Sequence, residues 1–425
     1  MDAVAVIDIK DSIVVRAVAG KRNEYQAVES RILKDGEITP LAAAAAFYEK
    51  LGIRKIYIVD LDAILGDTNN IKMIKKIKNE YPDLEIILDA AFDRNNSPIP
   101  YLEEFLDYAV IATETIKNLS FLNELKDYKA KIIISMDLKT GSLIHNIQKW
   151  QNKTLKNIVN EIKKLGFQNF IILDLANVGT ASGISKYIRE LKIEFPELNL
   201  ITGGGVKDYR DIKKLKRLQF SGVLIASAFH NGSLGEKEVR LIEADDILYQ
   251  IAWCITGAGH LLRESIDQIE ELLAENSKLK IDIYLSKAGL EVLKIYKFYQ
   301  RLENLGCQIY KDNSASSPII GKIYKGYYDA LVSAPTTSNT TAKFVLGISD
   351  TLVSNLLAHA GKTKLPVVVL PTDIDQNLVS AAPGKEVDVF PREIDLKNTE
   401  KLSQLADTSV ISEPKEVKSC LKKYF

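Results

Sequence analysis

Residues 336–341 read Thr-Thr-Ser-Asn-Thr-Thr: five hydroxyl side chains and an amide in six positions. They follow an apolar run, DALV (329–332), and Pro335, and they precede a second apolar run, FVLGISDTLVSNLLAHA (344–360). Pro335 is expected to stop a strand there and fix φ for a turn. Short donors in a loop before a helix suit a phosphate or a heteroaromatic edge, since hydroxyls, backbone N–H groups and the helix N-terminus converge on one point. A plain helix cap is the alternative, but a cap uses one such residue. A second loop, Thr256-Gly257-Ala258-Gly259, lies between the apolar run IAWCI and a helical stretch ending in LL (272–273). That arrangement also suits a phosphate. A third candidate is ITGGGV (201–206), in which Gly203, Gly204 and Gly205 let backbone N–H groups approach an anion. It pairs with IASAFHNG (225–232), which carries Ala226 and Ser227. Finally, Asp8, Asp60, Asp62, Asp89, Asp137 and Asp174 stand at the ends of apolar runs. There they act either as turn caps or as acid/base groups.

The elements that carry these residues differ between the two halves. Residues 1–242 contain eight short apolar runs, at 3–9, 55–61, 85–90, 109–113, 131–137, 169–175, 198–203 and 222–227. Amphipathic stretches such as 70–79 and 153–165 separate them. Eight buried strands alternating with helices predict a (β/α)₈ TIM barrel. An open doubly wound sheet is the runner-up, disfavoured by the count of eight and by the absence of a GxGxxG turn. In the barrel, Asp8 and Asp137 end strands 1 and 5 and face across the mouth. Residues 243–250 read as a charged linker. Residues 251–425 predict a flavodoxin-like or Rossmann-like three-layer α/β/α domain. Within it KIYKFYQRL (294–302) reads as one helix with Ile295, Phe298, Tyr299 and Leu302 on its packed face, and 385–425 as a strand at 386–390 followed by Lys/Glu-rich helix.

Composition excludes several classes. Lys plus Arg number 56 and Asp plus Glu number 56, so no basic surface for nucleic acid is indicated. No apolar run approaches a membrane span, and MDAVAVIDIKD has no basic n-region of a signal peptide. Cys254, Cys307 and Cys420 form no CxxC, and the four histidines form no HxxxH or HxxE, so no metal site is expected. A reducing cytoplasm fits this cysteine usage. His145, His230 and His359 read as ordinary surface or helix positions, whereas His260, at the end of the TGAG loop, is a candidate proton donor or a plain helix-start residue.

SAPTTSNTTAKFVLGISDTL (333–352) resembles the APATANTxAKxxxGIxDxL signature of FMN flavoproteins related to phosphopantothenoylcysteine decarboxylase, in the branch of the archaeoflavoproteins and dihydromethanopterin reductase. The resemblance implies FMN, with its phosphate near Thr256, Gly257, Ala258 and Ser286 and its ring and ribityl side near Ala334, Pro335, Thr336, Asn339 and Thr340. It implies a homo-oligomer, trimer or higher. The decarboxylases carry a His in the segment that reads CQIYKDNSASSPIIGKIY here (307–324) and a Pro-Xaa-Met-Asn motif where LPTDIDQNL (370–378) stands. Both are missing, which leaves reduction of a reduced-pterin substrate or simple electron transfer. With no cysteine quartet, the electrons come from an external donor such as ferredoxin.

The first half resembles the phosphoribosyl isomerase and cyclase barrels of histidine biosynthesis. The matching pieces are VIDIKDSIVVRAVAGKR (6–22), YIVDLDAILG (57–66), MDLKTG (136–141), VGTASG (178–183), ITGGGV and GVLIASAF (222–229). The resemblance makes Asp8 the general base, Asp137 the facing acid, and Gly203, Gly204, Gly205, Ala226 and Ser227 a phosphate site. Two departures matter. Leu173 and Val178 replace the Thr and the acidic residue after strand 6, so the standard isomerisation is lost. DAAFDRNNSP (89–98) replaces a glycine-rich phosphate loop, so the expected substrate is smaller or singly phosphorylated. A barrel that still performs a phosphosugar reaction is the third functional reading, beside reductase and electron shuttle.

Overall fold

The computed structural model describes residues 1–18, 21–34, 36–66, 68–176, 185–206, 208–244, 249–312, 320–376, 378–382 and 385–422. Val178, with the rest of VGTASG and part of 307–324, lies outside them. The chain divides into two compact units, Met1–Asp245 and Asp246–Phe425.

Strands of the first unit are β1 (Asp2–Lys10), β2 (Ile13–Val18), β3 (Lys21–Ala27), β4 (Lys55–Asp60), β5 (Glu85–Asp89), β6 (Tyr108–Ala112), β7 (Ile132–Lys139), β8 (Ser142–Leu143), β9 (Asn169–Asp174), β10 (Asn199–Gly203) and β11 (Gly222–Ile225). Eight of them pair in parallel in the order β1-β4-β5-β6-β7-β9-β10-β11, and β11 returns to β1 through Asp2↔Gly222 to Ala5↔Ile225. This is a closed eight-stranded barrel. The buried interior layer takes one residue from each strand, Val4, Tyr57, Ile87, Val110, Ile133, Ile171, Ile201 and Leu224, with Val6, Val59, Tyr108 and Leu173 packed against it. Side chains alternate along a strand, so counting up by two or four from that layer gives the residues of the mouth. Val4 leads to Asp8, Ile87 to Asp89, Val110 to Ala112, and Ile133 to Ser135 and Asp137. The hairpin β2–β3, antiparallel to β1, was not among the expected strands. Its sequence, IVVRAV then KRNEYQA, lacks the continuous apolar run that marks a strand buried on both faces.

The second unit contains β12 (Tyr249–Ile255), β13 (Leu279–Leu285), β14 (Gln308–Lys311), β15 (Ala330–Thr336), β16 (Val367–Pro371), β17 (Leu378–Ala382), β18 (Lys385–Val389) and β19 (Thr408–Val410). Six form a parallel sheet ordered β14-β13-β12-β15-β16-β19. Numbered by chain position within the sheet, that order is 3-2-1-4-5-6, the Rossmann-like alternative of the two expected. Ile251, Trp253 and Ile255 of β12 pack on one face with the helix Leu262–Glu275. Ala252 and Cys254 pack on the other with the helix Leu352–Lys362. The result is an α/β/α sandwich. The strand order reverses between β12 and β15, where ligands bind in such sheets, and the TGAG loop and the hydroxyl loop leave from the ends of those two strands.

Several local expectations are corrected. β12 starts at Tyr249, inside the stretch expected as linker. β15 runs through Pro335 to Thr336, with a register shift between Ser333 and Thr336; a residue without an N–H is accommodated at such an irregularity. The run 344–360 is not one helix. Gly347, at φ 74°, caps the helix Ser338–Leu346, and a new helix begins at Leu352 under the Thr351 cap. The run 294–302 also breaks. The helix Lys287–Ile295 ends at Tyr296, Lys297 adopts φ 59°, and a short helix resumes over Tyr299–Glu303. Leu302 is buried as expected, whereas Ile295 is 60% exposed. In the tail, the strand expected at 386–390 is β18 (Lys385–Val389), but it pairs with β17 as a hairpin, and β19 adds a sixth strand to the main sheet. Among the described residues no helix is long and apolar enough to cross a membrane.

Two candidate functional sites

In the second unit the loops after β12 and β15 are tied together. Thr256 donates from its N and its Oγ1 to the Pro335 carbonyl at 3.2 and 2.9 Å, and its Oγ1 accepts from Thr337 N at 2.8 Å. Trp253 Nε1 donates to the Ala334 carbonyl at 2.8 Å. Close packing sets the loop's shape. A Cβ on Gly257 would lie 2.5 Å from Ala288 Cβ, and one on Gly259 would overlap the Tyr296 hydroxyl. Tyr296 stands at the helix break, with Phe298 stacked on it at 6.5 Å and Arg263 over Phe298 at 5.0 Å. With the loop so fixed, the backbone N–H groups of Gly257, Ala258, Gly259 and His260 donate to no acceptor among the described residues. Consecutive open amides before a helix make an anion cradle.

The other expected residues fall around it. Ser286 caps the helix Lys287–Ile295, accepting from Gly289 N at 3.0 Å. Thr337 alone caps the helix Ser338–Leu346. Thr336 turns its hydroxyl inward, onto Ser333 O and Oγ at 2.7 Å. Ala334, Pro335 and Thr340 are buried, and Asn339 is exposed. The His260 ring, half-buried, makes no hydrogen bond to a described residue.

In the first unit a cavity of about 690 Å³ opens at the C-terminal ends of the barrel strands. Asp8, Tyr57, Asp89, Ser135, Asp137, Gly204, Gly205, Ala226 and Ser227 all line it. Gly203 does not. Its Cα faces Leu224, whose Cβ would be 2.6 Å from an added methyl, so Gly203 serves strand packing. Gly204 and Gly205, at φ 72° and 105°, follow it. Their N–H groups, and those of Ala226 and Ser227, donate to no described acceptor. Asp60, Asp62 and Asp174 have structural partners instead. Asp60 accepts from Ala63 N and from Asn70, Asp62 from Asp11 N and Asn70, and Asp174 from Ala176 N.

Two mouth residues were not singled out from sequence. Tyr57 donates to Asp89 Oδ2 at 3.2 Å; burial first, and then the charges of Asp89, Asp137 and Asp8, hold its phenol well above the usual range. Of the two alternatives for His230, surface or helix, the helix holds: the residue ends the short helix Ser227–His230. It is buried, lines the cavity, and holds Ser30 Oγ at 2.9 Å from its Nδ1. Burial pushes its imidazole down to about 4, so it is neutral at pH 7.

Burial pushes the Asp8 carboxyl up to about 7. Asp89 also rises to about 7, through burial first and the charge of Asp137, against the lowering effect of the Ala91 N–H and the Tyr57 hydroxyl. The ordinary value is 3.8. Between that value and about 7 these two carboxyls hold more protons in the folded barrel than in the unfolded chain, so their contribution to stability falls as pH rises through this window and levels off above it, and the lowered His230 opposes part of this below its ordinary 6.5. The Asp89→Asn variant should show a shallower decline in denaturation midpoint from pH 4 to 8. At pH 8 it should exceed the parent by on the order of 2 kcal/mol. An unchanged slope would contradict the shift.

Comparison with known proteins fits this geometry. Residues 3–235 match a family described as histidine biosynthesis protein, and residues 242–423 match one described as flavoprotein. The first unit is 29% identical over 248 residues to a phosphoribosyl imidazole-4-carboxamide isomerase of Lactococcus lactis, covering 56% of this chain and 99% of the relative. The second unit is similar to dihydromethanopterin reductase (acceptor) of Methanocaldococcus jannaschii, 31% identical over 230 residues, covering 40% of this chain and 94% of that one. The chain belongs to both families. The flavoprotein unit is also similar to Burkholderia xenovorans DmrB, whose crystal structure in complex with FMN is described as a cubic protein cage for redox transfer. The identity is 40%, over 41% of this chain and 94% of that one, with a TM-score of 0.37.

Proposed function

We propose that the flavoprotein unit binds FMN and acts as an FMN-dependent reductase of the dihydromethanopterin-reductase kind, taking electrons from an external donor such as ferredoxin. The observation that carries this reading is the run of open amides from Gly257 to His260 at the β12/β15 reversal, in a unit of the flavoprotein family. The residues fit the cofactor. The amides and the Ser286 hydroxyl would take its phosphate, while the tied loop at Ala334, Pro335 and Thr336, with Asn339 and Thr340, would border the rest. Bound FMN supplies one- or two-electron transfer. The chain's own contribution is to hold the phosphate without a side-chain charge, to keep the two loops in fixed register through Thr256, and to offer His260 as a proton donor to the reduced substrate. The similarity to a reductase named for dihydromethanopterin supports reduction to the tetrahydro form. The protein is proposed to be a cytoplasmic homo-oligomer of three or more copies. In the barrel, Asp8 and Asp137 are proposed as acid/base groups, with Gly204, Gly205, Ala226 and Ser227 around a phosphate.

The test is anaerobic photoreduction of the full chain followed by dihydromethanopterin. Flavin absorption that bleaches and then returns with the pterin alone is the expected result. Absorption that returns only with a protein acceptor favours an electron shuttle instead. Protein that neither carries nor takes up a flavin would overturn the reading.

A further inference from the structure

The barrel mouth has two chemically opposite walls. On one, at the ends of β10 and β11, the open amides of Gly204, Gly205, Ala226 and Ser227 face the cavity with no acidic side chain among them. On the other, β5, β6 and β7 lie side by side. One step above the interior layer they present Asp89, Ala112 and Ser135, all lining the cavity. Asp89 is buried and in no ion pair with a described residue, and its polar partners are the Tyr57 hydroxyl and the Ala91 N–H. Ser135 is 6% exposed, and its hydroxyl makes no hydrogen bond to a described residue. Ala112 between them is small and leaves room for a group to enter.

The charge around this wall is one-sided. Asp8, Glu29, Asp89, Glu114 and Asp137 line the cavity. Arg16 is the only Lys or Arg among the described lining residues, and it sits at the solvent side, 3.7 Å from Glu29. A buried carboxylate with no cation nearby is costly. The protein meets part of that cost by raising the Asp89 carboxyl to about 7, so that a share of it stays protonated at neutral pH. A ligand cation would meet it directly.

We propose that Asp89 and Ser135, across Ala112, form a recognition subsite for a protonated amino group, so that the barrel accepts a small amine bearing an oxyanion at its other end. Such a group donates to the Asp89 carboxylate, which has no ion-pair partner among the described residues, and to the Ser135 hydroxyl oxygen, which has no hydrogen bond to one. This subsite stands apart from the flavin reading and does not depend on it.

The experiment compares two probes on the full chain by calorimetry at pH 7: 5-aminopentyl phosphate and 5-hydroxypentyl phosphate, equal in length and differing in one terminal group. The amine is expected to bind at least about tenfold more tightly, the range of a charge-assisted hydrogen bond. Its binding should also release protons to the buffer, because the cation draws Asp89 into its ionised form. Asp89→Asn should abolish both the preference and the proton release, and Ser135→Ala should reduce the preference. Equal affinity of the two probes, a preference for the alcohol, no binding of either, or a preference that survives Asp89→Asn would overturn the proposal. The comparison of probes on the parent protein stands even if a variant folds poorly.

Discussion

Thr256→Val is expected to lower FMN affinity by at least about tenfold while leaving the sheet intact. The substitution keeps the side chain's shape and removes one oxygen. That oxygen both donates to Pro335 O and accepts from Thr337 N. Its loss leaves the Thr337 N–H without its partner at the reversal between β12 and β15. Two lost hydrogen bonds and one stranded donor amount to about 2–4 kcal/mol. Part of this appears as reduced stability of the unit. The rest appears as freedom of the loops that carry the open amides and the cap of the helix Ser338–Leu346. Thr256→Ser restores the oxygen and should retain flavin. Fluorescence titration of the apoprotein with FMN reads the difference, and equal affinity of Val and Ser variants would show that the tie does not matter to binding.

Gly203→Ala should be the most damaging single methyl in the barrel. The new Cβ would meet Leu224 Cβ at 2.6 Å and the Leu224 carbonyl oxygen at 2.7 Å. Leu224 belongs to the interior layer, and its backbone is paired to Gly203 in the ladder. Neither a rotamer change nor a small shift relieves a contact with main-chain atoms, so β10 and β11 must part at their upper ends. The expected cost is about 3 kcal/mol. Urea unfolding followed through Trp150, the one tryptophan of this unit, would measure it. A change below about 0.5 kcal/mol would mean that the strands have slack that their packing does not suggest.

What was legible in the sequence follows from burial. The eight barrel strands are covered on both faces, so each is a continuous apolar run and could be located closely. β2, β3 and β19 are mixed in character or only three residues long, and leave no such trace. The acids illustrate a different limit. Asp8, Asp60, Asp62, Asp89, Asp137 and Asp174 all stand at strand ends, and type and position are the same whether the carboxylate points into the mouth or back onto a loop amide. The resemblance singles out Asp8 and Asp137, and the parity count from the interior layer adds Asp89 to them and sets the rest apart. Tyr57 was hidden for a related reason: an aromatic inside an apolar strand reads as packing, and its hydroxyl acquires meaning only beside Asp89. His230 became visible once Ser30 and Phe47 were brought against it. The TGAG and hydroxyl loops were legible because their glycines and caps are local requirements, but which hydroxyls turn inward, as Thr336 does, is decided by the neighbouring strand.

In the proposed reading both units would hold an anion on peptide N–H groups that have no acceptor among the described residues, with no lysine or arginine committed to the task. Such a grip does not titrate, is not erased by acylation of an amine, and is indifferent to the identity of most side chains attached to it. Substitutions can therefore accumulate around either loop with little penalty so long as the path of the main chain survives. The few positions that hold that path, Gly257 against Ala288 and Gly203 against Leu224, carry nearly all the mutational risk. At the anion wall, then, what must be kept is the path of the main chain, whereas at the carboxylate wall it is the identity of the side chains.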